Sequence, residues 1–364
     1  MADKIDVATV LSAIQEQGAG WTAGETTLTA LSPSEQRRRL GVEPPPGVSL
    51  DELVSRGTVL GSKTATAVGT PAAFDLRNLG GQNFVTPVKD QGGCGSCVAF
   101  GTCGAIEGTF RFQRGDANLA IDLSEAHLFY CQGRAQGVTC ATGWMPDKAL
   151  TGARDTGITD EAHYPYTAGD QNCSGLASDW QSFATKITDF HPVTNDPAAM
   201  KTWLSTHGAI TGCFVVYNDF FAYKSGVYRH VTGGQAGGHC VTIIGYDDAE
   251  GCWICKNSWG TGWGDNGFFK IAYGECAIDT WQVNAVDGVL ETFWINNTKI
   301  IGLWANNADR NAYAYVQGTG WRRVAFDSDN VFVDMLMQLV VAKATNRPVN
   351  LYQESAVIKQ LYVL

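Results

Sequence analysis

No stretch of this 364-residue chain approaches the ~20 consecutive apolar residues that a membrane-spanning helix needs, so the sequence predicts no membrane span. Positive charge is scarce too. Lys and Arg number 26 against 36 Asp and Glu, a formal net charge of −10. Nucleic acids and anionic bilayers both select concentrated positive surface, so neither is an expected partner. The N-terminal run Met1-Ala-Asp-Lys-Ile-Asp-Val lacks a basic region followed by an apolar one and does not read as a secretory signal. Cysteine is missing from residues 1–69 and again from 287–364, and no internal repeat is visible. With 45% hydrophobic and 11% aromatic residues, the chain nevertheless has ample material for buried cores, which excludes general disorder.

Glycine and cysteine are abundant instead. The 42 glycines are about 12% of the chain where ~7% is typical, which predicts many tight turns and close backbone approaches. The 11 cysteines are odd in number, so at least one sulfur stays free, and a free sulfur invites a catalytic reading. Cysteine use of this kind favours a secreted or lysosome-like oxidising compartment; the absent signal points the other way, and the compartment stays unknown.

Composition divides the chain in three. Residues 1–69 hold one helix signal, the capping box Ser32-Pro33-Ser34-Glu35 stopped by Leu40-Gly41. Arg37, Arg38 and Arg39 fall in its last turn and read as a solvated face, and the stretch from Pro44 to Gly69 reads as weakly structured. Residues 70–286 read as helices first (96–111, 124–131 and a start at Asn195-Asp196-Pro197). Strands follow at 209–217, 239–246, 252–257 and 267–273. Helices followed by strands predict an α+β architecture of two lobes with a cleft between them. Residues 287–364 read as strands at 299–305, 311–317 and 320–325, one helix, and strands at 349–352 and 356–363. The helix carries Phe332, Met335, Leu336, Leu339 and Val340 on one core-facing stripe. Its order resembles small OB-like barrels in topology alone, with a sugar, a protein or a second copy as candidate partners.

The most informative segment is Gln91-Gly-Gly-Cys94-Gly-Ser-Cys97-Val-Ala-Phe100. Ser96 is a good N-cap residue, which places Cys97 at the first position of a helix, where unpaired N–H groups and the dipole favour thiolate over thiol. Gly101, Gly104 and Gly108 share a face of that helix and predict a very close neighbour. A nucleophilic sulfur needs a base, and the base an orienting group. His239 begins an apolar strand and Asn257 ends the next, so neighbouring strands would bring imidazole and amide together. Gln91 can aim its amide N–H2 at a tetrahedral oxyanion, with the Cys97 N–H as second donor.

Gln91, Cys97, His239 and Asn257, with their flanks, resemble the papain-like (cathepsin-type) cysteine proteases. Phe74-Asp75-Leu-Arg77, Leu123-Ser124-Glu125, Tyr164-Pro165-Tyr166 and Asn257-Ser-Trp259-Gly-Thr-Gly-Trp263-Gly264 extend the resemblance over residues 71–285 in the family's order. It implies the papain-like two-lobed fold, with a helical lobe and a β-barrel-like lobe, and hydrolysis of peptide or protein substrates with no cofactor. Cys97 is then the nucleophile, His239 the acid–base partner, Asn257 the orienting group and Gln91 the oxyanion donor. Trp259 would shield the His–Asn bond and Trp263 would border the leaving-group side. Gly143, Trp144, Met145, Cys213, Cys240 and Trp281 fall near positions lining an apolar substrate pocket. Disulfides Cys94–Cys140 and Cys131–Cys173 are implied as well. Val98 stands where the family usually has an aromatic, and Thr142 where it has glycine, which would narrow the cleft wall. By position, residues 1–69 read as an inhibitory pro-segment, so the chain would be made as a zymogen.

Rival readings keep the same residues. A transpeptidase or amide ligase would use the same site with an amine intercepting the thioester, and a catalytically silent binding protein would keep the scaffold alone. A zinc site at Cys94/Cys97 and Cys252/Cys255 leaves Gln91 and Asn257 unexplained, and a redox pair at Cys94/Cys97 lacks its βαβ context, so no metal is expected. Cys103, Cys213, Cys240, Cys252, Cys255 and Cys276 read as buried thiols or structural disulfides. The remaining histidines, His127, His163, His191, His207 and His230, read as structural or exposed.

Overall fold

The computed structural model describes residues 6–61, 69–290, 292–354 and 357–364. The chain divides into two compact units, Met1–Leu176 with Ile187–Val289, and Ala177–Lys186 with Leu290–Leu364.

In the first unit α1 (Val7–Gln17) and β1 (Trp21–Ala23) precede α2 (Pro33–Arg37), whose capping box forms as expected: Ser32 Oγ accepts from the Glu35 N–H and the Glu35 carboxylate accepts from the Ser32 N–H. The stretch expected to be weakly structured instead contains a helix, α3 (Leu50–Gly61), nucleated by Asp51 and Glu52 in its first turn and held by the buried Leu53. Residues 62–68 of that stretch lie outside the described part of the chain. After β2 (Ala73–Asp75) comes α4 (Cys97–Arg114), closed by Gly115 in the left-handed region at φ 63°. A π-helical turn, His127–Gly133, stands where the second helix was expected, and α5 (Pro146–Asp155) follows. β3 (Phe190–Pro192) leads to α6 (Pro197–Thr206), started by Asp196 Oδ1 accepting from the Ala199 N–H.

The strands then run as β4 (Ile210–Tyr217), β5 (Tyr223–Tyr228), β6 (Gln235–Asp247), β7 (Cys252–Lys256), β8 (Phe268–Ala272) and β9 (Trp281–Val286). Hydrogen bonding orders them β1-β5-β8-β7-β6-β4-β9-β3, with β2 on β6. The architecture is α+β as expected, but the lobe is not a closed barrel: among the described residues the edge strands β1 and β3 do not pair. The glycine face of α4 does what its spacing predicts. A Cβ at Gly104 would lie 2.5 Å from Thr242 Oγ1, and one at Gly108 3.1 Å from the Ala209 Cβ. The helix thus lies directly on β6, and Cys97 is fixed at its tip.

In the second unit β10 (Thr292–Thr298), β11 (Ile300–Ala305), β12 (Ala312–Val316) and β13 (Gly320–Val324) precede α7 (Asp329–Thr345), β14 (Val349–Glu354) and β15 (Val357–Val363). β10 was not expected, and the OB-like barrel is not found. The sheet is open in the order β10-β14-β15-β13-β12-β11, with α7 supplying the core on one face through Met335, Leu339 and Ala342. Val340 leaves the predicted stripe and is exposed, because Ala342 takes the buried position. No described helix is long and apolar enough to cross a membrane.

Candidate active site

Cys97 is the first residue of α4, as its sequence context requires, but Ser96 does not cap the helix with its side chain. Ser96 Oγ pairs with Tyr166 Oη at 2.7 Å instead, tying the nucleophile's loop to the Tyr164-Pro165-Tyr166 segment. On the facing strands, β6 and β7 are antiparallel neighbours, with Thr242 opposite Lys256. That pairing places His239 Nε2 2.8 Å from Asn257 Oδ1. The same oxygen accepts from the Ser258 N–H at 2.8 Å, and since an amide N–H only donates, this atom must be Oδ1. His239 Nε2 therefore carries the proton, and its buried Nδ1 has no hydrogen-bond partner among the described residues. Trp259 is buried, with its ring centroid 4.6 Å from that of the imidazole at a 30° tilt.

Gln91 is held on three sides. Its N–H bonds the Ser258 carbonyl, its Oε1 accepts from Ser258 Oγ at 2.6 Å, and its Nε2 donates to the Cys94 carbonyl at 2.8 Å. The second Nε2 donation, at 3.0 Å, goes to the carbonyl of Arg39.

That contact belongs to a segment the sequence reading missed. Residues 39–42 lie against Gln91, Cys97 and the Gly237-Gly238 segment that leads into His239. The Arg39 guanidinium is not a solvated face; its side chain is 12% exposed and pairs with Asp90 at 2.6 Å, while Arg37 and Arg38 remain exposed. The Gly41 carbonyl accepts from the Trp144 N–H at 2.8 Å, and the Val42 N–H donates to the Gly238 carbonyl at 3.2 Å. Gly41 is wedged so tightly that a Cβ there would lie 1.9 Å from the Gly95 carbonyl oxygen. With this strip in place Cys97, His239 and Gln91 are 0% exposed and Asn257 2%.

Burial sets the charge state. It pushes the Cys97 thiol up to about 12, although the main-chain N–H groups of Cys240, Gly41 and Val98 face the sulfur and favour the anion. Burial also pulls His239 down to about 4, against the hydrogen bond to Asn257, and the Arg39 charge adds to the depression. Thiol and imidazole are both neutral in this conformation, and Cys97 is not the thiolate that its helix position alone suggested.

The expected pocket residues divide. Trp144 and Gly143 meet the strip, but the donor to Gly41 is the Trp144 N–H, since the Gly143 N–H is used on Thr139. Gly143 matters through its missing side chain, as its φ is 65° and a Cβ would lie 2.1 Å from the Gly41 oxygen. Thr142 does not narrow the cleft: it is exposed and closes a turn with Thr139. Met145 is half-buried at the head of α5. Cys213, Cys240 and Trp281 are buried together, with Cys213 paired in register to both of the others. Trp263 is buried among Phe220, Tyr223 and Phe269, so it does not border an open leaving-group side here. Disulfides Cys94–Cys140 and Cys131–Cys173 are both formed, and the other seven cysteines are free and buried. No group of His, Cys, Asp or Glu among the described residues could hold a metal ion.

Residues 70–286 match the profile of the papain family cysteine proteases. Over 242 residues the chain is 36% identical to Cathepsin B-like CP3 of Giardia intestinalis, covering 62% of this chain and 76% of that protein. It is 34% identical over 229 residues to Cysteine proteinase 1 of Entamoeba histolytica, covering 61% and 70%. Among solved structures it is similar to digestive procathepsin L2 proteinase from the Tenebrio molitor larval midgut, with TM-score 0.61 and 27% identity over 77% of this chain and 88% of that one. ProCathepsin B S9 from Trypanosoma congolense aligns with TM-score 0.62 over 78% and 99%, and at 24% identity it speaks to the fold alone. The chain belongs to the papain family. It is a papain-type cysteine protease with the papain-like fold.

Proposed function

We propose that this protein is an endopeptidase made as a zymogen, with Cys97 as nucleophile and residues 39–42 as the inhibitory strip of an N-terminal pro-segment. The observation that carries this reading is the hydrogen bond from Gln91 Nε2 to the Arg39 carbonyl, which fills the expected oxyanion donor with the chain's own backbone. The strip is a poor substrate for its own site. The Cys97 sulfur faces the N–H of Gly41, and its proton is held by burial.

Once the strip leaves, water reaches the site and the burial penalty on both ionised forms falls. The helix terminus then favours the Cys97 anion and the proton passes to His239, where Asn257 Oδ1 supports the imidazolium. The sulfur attacks a substrate carbonyl, and its oxyanion is met by Gln91 Nε2 and the Cys97 N–H. His239 gives its proton to the leaving amine, forming a thioester that water hydrolyses with His239 as base.

An electrophilic epoxide directed at thiolates tests this on the full chain. Cys97 is labelled slowly until residues 1–69 are cleaved from the peptidase, and then quickly. Cys97→Ala and His239→Ala lower peptide hydrolysis by roughly 10³-fold or more. Turnover surviving in His239→Ala, or equal labelling before and after removal of the segment, would overturn the reading.

A further inference from the structure

The seven free thiols are not equivalent. Cys252 and Cys255 stand three apart on β7 and so face opposite sides of the sheet. Cys103 and Cys276 have no cysteine opposite them in the strand pairings. Cys213 and Cys240 are directly opposite each other in the antiparallel pairing of β4 and β6. Opposed residues of such a pair hold their Cα atoms about 4.5–5.5 Å apart, within the ~4.4–6.8 Å that a disulfide spans. The pair also adjoins the nucleophile. The Cys240 N–H faces the Cys97 sulfur. The Cys240 sulfur packs against Gly101, one turn along α4 from Cys97, where a Cβ would come within 2.8 Å of it. Gly101 therefore makes the room for the Cys240 sulfur on α4, one turn from Cys97.

We propose that Cys213 and Cys240 are a redox pair that restores Cys97 after its oxidation by a hydroperoxide. The proposal rests on Cys97 being the nucleophile. Its thiolate attacks the hydroperoxide, becomes a sulfenic acid and releases an alcohol or water. The Cys240 thiol displaces the sulfenic oxygen as water and forms a Cys97–Cys240 disulfide. Cys213 then attacks Cys240 by thiol–disulfide exchange, leaving a cross-strand Cys213–Cys240 disulfide and a free Cys97. Overall, one hydroperoxide is reduced by two electrons and two thiols become one disulfide. The nucleophile is thus kept from the irreversible sulfinic state.

The test uses the full chain and its Gly41→Ala variant, each treated with excess hydrogen peroxide, quenched by alkylation and mapped by mass spectrometry. The expected map shows Cys213 linked to Cys240 with Cys97 alkylated, and at least half of the untreated hydrolysis rate retained in Gly41→Ala. Cys213→Ala should stop at a Cys97–Cys240 disulfide whose activity a thiol reductant restores. Cys240→Ala should convert Cys97 to sulfinic acid and lose more than tenfold of its own untreated rate beyond recovery. Recovery of Cys213 and Cys240 as alkylated thiols in both chains overturns the proposal, whatever the state of Cys97. Should Gly41→Ala fail to fold, the map of the chain after cleavage of residues 1–69 decides, because the intact chain keeps Cys97 buried. Epoxide labelling of untreated Cys97 is read separately, so failure of the nucleophile assignment is distinguishable from failure of the redox pair.

Discussion

Replacing Gly41 by Ala should open the site without touching any residue of the proposed catalytic group. The new methyl carbon would stand 1.9 Å from the Gly95 oxygen, 2.5 Å from its carbon and 2.8 Å from its Cα. All three are backbone atoms, and Gly95 is held by its N–H on the Cys140 carbonyl beside the Cys94–Cys140 disulfide. Ordinary contact therefore requires the strip to lift by roughly 1.5 Å. Forcing extra methyl groups into packed sites costs about 1–3 kcal/mol, and a clash with two pinned backbones belongs at the upper end. Three kcal/mol corresponds to about 100-fold in the closed-to-open ratio. The assay is the rate of epoxide labelling at Cys97 in the full chain, with peptide hydrolysis as second readout, and Gly41→Ala should be faster by about 10–100-fold. Gly20→Ala, where a Cβ meets nothing within 4 Å, is the matched control. If Gly41→Ala labels no faster than the control while the protein stays folded, residues 39–42 do not restrain the site.

Two further expectations concern the scaffold. Gly104→Ala should lower the denaturation midpoint by the equivalent of about 1–3 kcal/mol, since its Cβ meets Thr242 Oγ1 at 2.5 Å; adding Thr242→Ala should recover part of that loss. Additive losses in the double variant would refute the contact. His127 is buried, with Nδ1 accepting from the Thr159 N–H, and burial pulls it down to about 4. The unfolded chain, with its ordinary value near ~6.5, then takes up the proton first, so the stabilisation is present above pH ~6.5 and is lost as pH falls toward 4. It amounts to roughly 3 kcal/mol, and His127→Asn should flatten the pH dependence of unfolding across that window by about one proton. An unchanged slope would sink the assignment.

What could be read from the sequence was whatever side chains encode. The three glycines of α4, the apolar runs of β4 and β7 and the Asp196-Pro197 helix start each have a residue-type signature, and the structure places all of them where expected. Two helices escaped for different reasons. In α1 only Val10 is fully buried, which leaves little pattern to read. In α5 the buried Pro146, Ala149, Leu150 and Ala153 do form an i, i+3, i+4, i+7 stripe, but two of the four are alanines and carry a weak apolar signal. The strip at 39–42 was illegible for a different reason. Its hydrogen bonds run through the Arg39 and Gly41 carbonyls and the Val42 N–H, groups that every residue carries, and only Gly41 is demanded by its surroundings. Arg39 was misread because three consecutive arginines look like a solvated face, whereas its ion pair lies 51 residues away at Asp90.

The placement of one proton joins access to ionisation in this molecule. A helix N-terminus favours a thiolate by a fraction of the cost of desolvating one, so removing water from Cys97 outweighs the dipole. The closed chain accordingly has Cys97 pushed up to about 12 and His239 pulled down to about 4. Both shifts keep the proton on sulfur. Nitrogen NMR of His239 should therefore show, in the full chain at neutral pH, a neutral ring protonated at Nε2, the tautomer that Asn257 Oδ1 requires. Because the closed-state value lies below the ordinary ~6.5, acidification to pH ~5 should leave that ring neutral as long as the strip stays seated. Gly41→Ala should convert it to imidazolium at neutral pH. An imidazolium signal in the unsubstituted chain would mean that ionisation precedes release, and that latency rests on blocked access alone.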